Sequence, residues 1–241
     1  MTNGIVIIPT YNEIENIESI IRAVFLLNLE FHILIVDDNS PDKTAEKVKE
    51  LQVEFPEKLF LEVRKKKSGL GTAYVHGFKW ALNKAYDFIF EMDADFSHNP
   101  NDLEKLYLEC KVNGADMAIG SRYVKGVNVV NWPLSRVLLS YFASVYVRMI
   151  TGMKIMDATA GFICYKRNVL ETLCLDKIKF VGYAFQIEMK YRAFARNFKI
   201  HEVSVTFTDR TKGQSKMSGS IIKEAVFGVI SLRIQKLFNR L

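Results

Sequence analysis

Two acidic residues one position apart follow an apolar, strand-like segment. Asp93 and Asp95 lie in the sequence FEMDADFSHNP (90–100). In an extended chain, residues i and i+2 point to the same side, so both carboxylates can reach one point. Like charges so close repel unless neutralised, and Mg²⁺ is commonly held by one or two carboxylates together with substrate phosphates. The pair therefore indicates a metal site, although an isolated pair is also compatible with two solvated acids in a loop.

A second acidic pair, Asp37 and Asp38, also ends an apolar run. Adjacent acids at such a place could cap the next helix, or they could accept hydrogen bonds from a sugar hydroxyl or a base N–H. The segment PTYNE ends the preceding apolar run and offers Tyr11 as a ring contact and Glu13 as an acceptor. The two segments together are typical of a nucleoside pocket.

Basic side chains that could bind phosphate occur at scattered positions of the second half of the chain. The candidates are Arg122, Arg136, Arg210 and Lys216. Phosphate charge needs Arg or Lys on several sides, and two acids for a metal plus several cations suit diphosphate chemistry. The net charge of +6 likewise favours anionic partners. No zinc-finger spacing or ribonucleoprotein-type motif supports nucleic acid as the anionic partner.

Strand-like apolar runs alternate with helical patterns through the first half of the chain. The runs cover residues 4–10, 31–40, 58–65, 87–95 and 115–123. This alternation predicts an α/β fold with a mostly parallel sheet flanked by helices. Ligands of such sheets bind at the carboxyl ends of the strands, which here carry the segments PTYNE, DDNSPD, DADFSHNP and GSRY. The later part adds helical patterns at 132–153 and 184–197 and a basic amphipathic tail.

Length and composition predict one large ordered domain, or a domain with an appendage. The chain has 241 residues, of which 49% are hydrophobic and 25% are charged. The longest apolar runs stay far short of the roughly 20 residues of a membrane-spanning helix, and the N-terminus shows no signal pattern. The three cysteines, at unrelated spacings, predict reduced thiols in a cytoplasmic protein instead of a metal cluster or disulfide framework.

Eight motifs, in this order, give the chain a family resemblance. They are PTYNE, VDDNSPD, GLGTAYVHGF, MDADFSHNP, GSRY, DATAGF, FQIE and DRTKGQSK. The chain resembles, from residue 4 to about 219, the dolichol/polyprenol-phosphate mannose synthases, which are inverting glycosyltransferases of the Rossmann-like GT-A fold. The resemblance implies transfer of mannose from GDP-mannose to a polyprenyl phosphate with a divalent metal. Glucose transfer from UDP-glucose, transfer to a protein or polysaccharide hydroxyl, and a non-catalytic nucleotide- or RNA-binding module are the alternatives.

The resemblance also implies roles for individual residues. The acids of Asp93, Ala94 and Asp95 would hold Mg²⁺ or Mn²⁺ against the donor diphosphate, and Ser97 stands where some members carry Gln. Asp95, Arg122 and Arg136 would be the catalytic residues, with the arginines at the acceptor phosphate or the departing diphosphate. The remaining implied contacts are Pro9, Tyr11, Glu13 and Asp38 at the nucleotide, Arg210 and Lys216 on a phosphate-covering lid, and Gln186 and Glu188 on the sugar or acceptor side.

A polyprenyl phosphate oxygen is already an anion near neutral pH, so it needs no general base to attack the sugar. Electrostatic stabilisation and positioning should then dominate the chemistry. We accordingly expect His76 and His98 to be structural or supporting. Asp157 would be a base only for a hydroxyl acceptor, and with a phosphate acceptor we expect it to be structural or orienting.

The expected organisation is a catalytic domain at 1–219 followed by an amphipathic helix at 220–241. Within the domain, 132–153 would be an interface helix and 208–219 the lid loop. We expect peripheral association with the cytoplasmic face of the membrane, because a lipid acceptor must be met at a surface. Packing of both helices on the domain, or on a separate membrane subunit, is the alternative.

Overall fold

A computed structural model describes residues 3–182, 184–209 and 219–237. Arg210, Lys216 and most of the expected lid loop lie outside these residues. The strands are β1 (Gly4–Thr10), β2 (Phe31–Asp37), β3 (Leu59–Val63), β4 (Phe88–Glu91), β5 (Met117–Ser121), β6 (Val129–Val130), β7 (Ile163–Lys166), β8 (Ile200–Ser204) and β9 (Phe207–Thr208). The helices are α1 (Ile17–Phe25), α2 (Thr44–Glu54), α3 (Leu70–Leu82), α4 (Asp102–Lys111), α5 (Leu134–Thr151), α6 (Arg167–Thr172), α7 (Ala184–Ala195) and α8 (Gly219–Leu237), with a 3₁₀ turn at Leu175–Lys177.

The main sheet has seven strands in the order β3-β2-β1-β4-β7-β5-β8. All neighbouring pairs are parallel except the two made by β7, which runs antiparallel between β4 and β5. The strand order reverses between β1 and β4, which makes the carboxyl ends of these strands the expected ligand crevice. The predicted mostly parallel α/β fold is confirmed, and a two-stranded ribbon of β6 and β9 is added beside it.

The sheet is buried on both faces. Along β1, Ile5 and Ile7 belong to one hydrophobic cluster and Val6 and Ile8 to the other. Such two-sided burial explains why the parallel strands are continuous apolar runs without alternation. The first cluster also contains the buried side chains of α3, α6 and α7, and the second contains those of α1, α2 and α4.

Several boundaries differ from the predicted ones. β4 ends at Glu91, so Asp93 and Asp95 lie in the loop that follows and not in the strand. Helix α1 begins at Ile17, and Asn12, in the loop before it, has a φ of 57°. The Asn12 backbone N–H donates to Ser40 Oγ, and this hydrogen bond connects the loop after β1 to the loop after β2.

The two late helices pack on the domain. Helix α8 contacts α5 and α7, and its Val229 and Leu232 are buried in the first hydrophobic cluster. The Tyr146 hydroxyl of α5 donates to the backbone oxygen of Val226 at 2.9 Å. Among the residues that the structure describes, no helix is both long enough and apolar enough to cross a bilayer.

Candidate active site

A cavity of about 390 Å³ lies at the carboxyl ends of β4 and β5. Its polar lining comes mainly from the loops that follow these strands and from the start of α7, and includes Asp93, Asp95, Ser97, His98, Arg122, Arg136, Thr159, Gln186 and Asp209. Its apolar lining comes largely from α5, α7 and α8, and includes Leu139, Phe142, Ala143, Tyr146, Val147, Ile187 and Val226. One cavity therefore joins a charged wall to a hydrocarbon-like wall.

Local hydrogen bonds fix the loop that carries the two acids. The Ser97 N–H donates to Asp95 Oδ1 at 3.0 Å, and the buried Tyr74 hydroxyl donates to Asp93 Oδ1 at 3.4 Å. Phe96, between Asp95 and Ser97, has a φ of 59°, in the left-handed region. This turn brings Ser97 back toward the cavity, so both carboxylates and the serine line the same space.

His98 supports this loop from within. The Asp93 N–H donates to His98 Nδ1 at 3.2 Å, and the imidazole stacks on Phe162 with a centroid distance of 4.8 Å. Because Nδ1 accepts a hydrogen bond, the ring proton resides on Nε2. Burial lowers the pKa of His98 to about 4, so the ring is neutral near neutral pH. His98 is thus a buried support of the acidic loop, in agreement with the expected supporting role.

The donor set of the acidic loop fits a hard divalent cation. Asp93 and Asp95 supply carboxylate oxygens, and the buried Ser97 Oγ beside them has no hydrogen-bond partner within the described part of the chain. Those described residues contain no cluster of three or more acidic, histidine or cysteine side chains that could hold a metal ion. Two carboxylates completed by substrate phosphate oxygens and water are the arrangement that Mg²⁺ usually adopts.

Arg122 forms a buried ion pair with Asp157. Its Nε donates to Asp157 Oδ2 at 2.7 Å, its Nη2 to Oδ1 at 2.6 Å, and its backbone N–H to Oδ2 at 2.9 Å. Burial acts to raise the pKa of Asp157, but attraction and hydrogen bonds from Arg122 outweigh it, so the pKa is lowered. With both oxygens committed to Arg122, Asp157 orients the arginine and is unsuited to act as a base.

Aromatic rings surround the two cavity arginines. The Arg122 guanidinium carbon lies 5.4 Å from the Trp132 ring centroid and 5.5 Å from that of Phe207. Arg136 lies 4.0 Å from the same Trp132 ring and pairs with Asp209 through a 2.9 Å contact. Cation–π contacts and ion pairs hold both guanidinium groups at the cavity wall.

The predicted nucleoside residues lie at the same sheet edge, at the end of β1 and in the loops after β1 and β2, and do not line this cavity. Asp37 is used structurally, because it accepts hydrogen bonds from Thr10 Oγ1 and from the backbone and hydroxyl of Ser40. Asp38 pairs with Arg64 at 2.5 Å.

The other nucleoside candidates lie close to these acids. Pro9 is the β1 partner of Val36 in β2. Lys67 Nζ lies 4.4 Å from the ring centroid of Tyr11. Glu13 accepts a hydrogen bond from Asn16. Ala94 is buried between the two acids of the metal-type loop.

The two α7 candidates lie in different surroundings. Gln186 lines the cavity, whereas Glu188 is fully buried and does not. Glu188 pairs with Arg192 at 2.7 Å and accepts hydrogen bonds from the backbone N–H groups of Lys179 and Phe180. Its side chain therefore stabilises the segment that leads into α7.

Sequence reasoning missed a polar network beneath the cavity. Glu91 accepts hydrogen bonds from Tyr165 and Gln186, and Lys190 donates to the backbone oxygens of Ala160 and Gln186. Burial raises the pKa of Glu91 and lowers that of Lys190. A charged residue inside the apolar run DFIFEM was the one available signal, since a buried carboxylate needs partners.

Comparisons with known proteins agree with this geometry. Residues 5–174 match the family Glycosyl transferase family 2. The chain is 46% identical over 236 residues to "Polyprenol monophosphomannose synthase" of Mycolicibacterium smegmatis, covering 98% of this chain and 89% of that protein. It is 44% identical over 223 residues to "Undecaprenyl-phosphate mannosyltransferase" of Micrococcus luteus, covering 92% and 90%. It is 40% identical to "Dolichol-phosphate mannosyltransferase" of Pyrococcus furiosus, covering 91% of this chain and 60% of that protein.

Solved structures support the fold. Glucosyl-3-phosphoglycerate synthase from Mycobacterium tuberculosis, in complex with Mn²⁺, UDP and phosphoglyceric acid, superposes with a TM-score of 0.69 at 16% identity. The alignment covers 97% of this chain and 78% of that one. The family resemblance and the GT-A-type fold are confirmed: the chain belongs to glycosyl transferase family 2 and is a glycosyltransferase related to the polyprenol-phosphate mannose synthases.

Proposed function

We propose that this enzyme transfers mannose from GDP-mannose to a polyprenyl phosphate, with inversion at the anomeric carbon. The observation that carries the proposal is the single cavity in which Asp93, Asp95 and Arg122 face the apolar side chains of α5 and α8. A polar donor alone would not need the apolar wall, and a lipid alone would not need the acids. The names of the three relatives supply the sugar and the class of lipid.

In the proposed reaction, an oxygen of the lipid phosphate attacks C1 of mannose. A C–O bond forms there while the bond from C1 to the GDP oxygen breaks, and the departing electron pair leaves on the diphosphate. No proton has to be removed from the nucleophile. The catalytic requirement is therefore to hold two phosphate groups and a developing positive centre in line.

A divalent cation, Mg²⁺ or Mn²⁺, would neutralise the charge that develops on the departing diphosphate. The side chains that would hold it are those of Asp93 and Asp95, with the Ser97 hydroxyl next to them. The proposed catalytic role of Asp95 is this binding. Its carboxylate is oriented by the Ser97 N–H, which prepares the site before substrate arrives.

Arg122 and Arg136 are proposed to bind the acceptor phosphate or the departing diphosphate. Arg122 is held by Asp157 and by the Thr159 hydroxyl, so its guanidinium is oriented before the ligand binds. Arg136 is more accessible and is paired with Asp209. We propose that Arg136 leaves the Asp209 carboxylate and binds a substrate phosphate instead.

The nucleotide is proposed to occupy the loops after β1 and β2. Pro9, Tyr11, Glu13 and Asp38 would frame the base and ribose there. The expected lid contacts of Arg210 and Lys216, within 208–219, complete the proposal for the phosphates. We further propose that 1–219 forms the catalytic domain and that 220–241 contributes to membrane contact.

Membrane attachment is proposed to be peripheral, at the cytoplasmic face, through α5 and α8, which correspond to the expected interface helix and tail. On α5, Leu134 and Met149 are 71% and 72% exposed, and on α8 Phe227 is 70% exposed. Phe142 is both 60% exposed and part of the cavity lining, so the apolar surface continues into the cavity. Such a surface would let a lipid chain reach the site without leaving an apolar environment.

The test is a transfer assay with purified protein, Mg²⁺ and a short-chain polyprenyl phosphate. GDP-mannose and UDP-glucose are offered side by side. The expected product is a mannosyl lipid phosphate from GDP-mannose, with inverted anomeric configuration. Preferential use of UDP-glucose would contradict the donor, and transfer to water alone would contradict the acceptor.

A further inference from the structure

An unmatched hydrogen-bond acceptor lies at the cavity wall. Gln186 is only 2% exposed and lines the cavity, and its Oε1 has no hydrogen-bond partner among the atoms of the described residues. A buried amide oxygen without a donor is destabilising, because it has lost its hydration without gaining a hydrogen bond. Such an atom at a cavity wall is expected where a ligand supplies the missing donor.

The network beneath the cavity determines which way this amide faces. Gln186 Nε2 donates to Glu91 Oε2 at 2.5 Å, and Glu91 Oε1 accepts from the Tyr165 hydroxyl at 2.8 Å. In this arrangement both oxygens of Glu91 accept, and the NH₂ group of Gln186 is the end that faces Glu91. The amide oxygen is then the end that remains for the cavity.

The backbone near Gln186 is fixed as well. The buried Lys190 Nζ donates to the Ala160 oxygen at 2.5 Å and to the Gln186 oxygen at 3.2 Å. At Gly161, an added Cβ would lie 3.3 Å from Gln186 Nε2. Glycine at this position lets the amide lie close against the chain that follows Ala160. The acceptor is therefore preorganised and does not swing freely.

The substrates of the proposed reaction differ in whether they can supply a donor. The acceptor phosphate and the diphosphate are ionised near neutral pH and present only acceptor oxygens to the cavity. The base and ribose carry donors, but their proposed residues, such as Tyr11 and Asp38, do not line the cavity. The hydroxyl groups of the transferred hexose are the donors that remain.

We propose that Gln186 Oε1 accepts a hydrogen bond from one hydroxyl of the transferred hexose, and that Glu91 and Tyr165 orient the amide for this contact. Gln186 is then a specificity-determining residue for the sugar, and Glu91 is a positioning residue. The inference rests on the proposed function and deepens it. It assigns the buried network, which the transfer chemistry itself does not use, to recognition of the sugar.

The test compares GDP-mannose with its monodeoxy analogues, one for each sugar hydroxyl, in wild type and in Gln186→Met. Methionine has a similar length and shape but cannot accept this hydrogen bond strongly. In wild type, one analogue should lose about 10- to 100-fold in kcat/KM, because it leaves the buried oxygen unpaired. In Gln186→Met, the kcat/KM for GDP-mannose should fall by a similar factor relative to wild type. In that variant, the kcat/KM for the analogue should be no lower than the kcat/KM for GDP-mannose.

The matched control is Gln52→Met, the same substitution on α2, where Gln52 Nε2 donates to the Leu59 oxygen and does not line the cavity. It should leave the ranking of the analogues unchanged. Gln186→Asn, which withdraws the amide by one methylene, is a second variant that retains a polar side chain. It should also lose discrimination, so the test survives if the methionine variant does not fold.

The outcomes separate the inference from the function on which it rests. Equal losses for every analogue in wild type, or an analogue penalty that persists in both Gln186 variants, would overturn the role of Gln186 while leaving mannosyl transfer intact. Failure of wild type to use GDP-mannose would contradict the proposed function. In that case, monodeoxy analogues of the donor that wild type does use would test Gln186 in the same way.

Discussion

Replacing Asp157 by Asn is expected to destabilise the protein strongly. Asp157 is fully buried and accepts three hydrogen bonds from Arg122, two from the guanidinium and one from the backbone. Asparagine retains one acceptor and directs an NH₂ group at donors. A buried guanidinium is left without a counter-charge, and at least one donor loses its acceptor.

Removal of one partner of a buried ion pair costs about 3 to 5 kcal/mol. For a chain of this length, that free energy corresponds to a decrease in Tm of about 6 to 20 °C. The aromatic rings around Arg122 remain, so the lower part of the range is expected. Urea denaturation gives the free energy of unfolding, and the midpoint should fall without a change in the m-value.

A matched control and a double variant sharpen this prediction. Asp176→Asn alters an ion pair with Lys79 whose acid is 84% exposed, and should cost less than about 1 kcal/mol. Arg122→Met combined with Asp157→Leu removes both charges and should recover most of the lost stability while remaining inactive. A free energy of unfolding for Asp157→Asn within about 1 kcal/mol of wild type would refute the argument that Asp157 fixes Arg122.

Three further predictions concern the loop, the pH response and the membrane. His98→Phe keeps the stacking on Phe162 but removes the acceptor for the Asp93 N–H, so kcat should fall by about 10- to 100-fold. His98→Asn should recover part of the lost kcat, and equal kcat values for the two variants would contradict the role of Nδ1. The lowered pKa of Asp157 adds stability that is complete above its unfolded value of roughly 4 and is lost as the pH falls through the lower folded value. Between about pH 5 and about pH 3, the free energy of unfolding measured with urea should therefore fall more for wild type than for Asp157→Asn, and equal decreases would contradict this linkage. Phe227→Ser should weaken sedimentation with anionic liposomes while leaving the thermal midpoint nearly unchanged, and undiminished liposome binding would place the attachment elsewhere.

Hydrophobic periodicity was sufficient to predict most of the sheet, because strands buried on both faces are continuous apolar runs. It did not predict β7 or its direction. The segment ICYK is short and apolar whichever way it runs, and its antiparallel insertion between β4 and β5 depends on the path of the chain through α5. The end of β4 at Glu91 was likewise hidden, because the apolar Met92 continues the pattern.

Residue types predicted which loops form the site, but not how their charges are partnered. Asp38 and Arg122 occur where the motifs suggested, yet the ion pairs with Arg64 and Asp157 join positions 26 and 35 residues apart. Partners so distant in sequence are decided by tertiary packing. The same holds for Glu188, whose motif position suggested substrate contact while its carboxylate lies inside the domain.

Manganese binding in the presence of GDP tests the central proposal most directly. Electron paramagnetic resonance can follow free Mn²⁺ during titration of wild type and of Asp95→Asn, without turnover. GDP should promote Mn²⁺ binding to wild type, and the variant should bind the metal at least about tenfold more weakly in the same mixture. Equal Mn²⁺ affinity of the two proteins with GDP present would contradict a cation held between the acidic loop and the diphosphate.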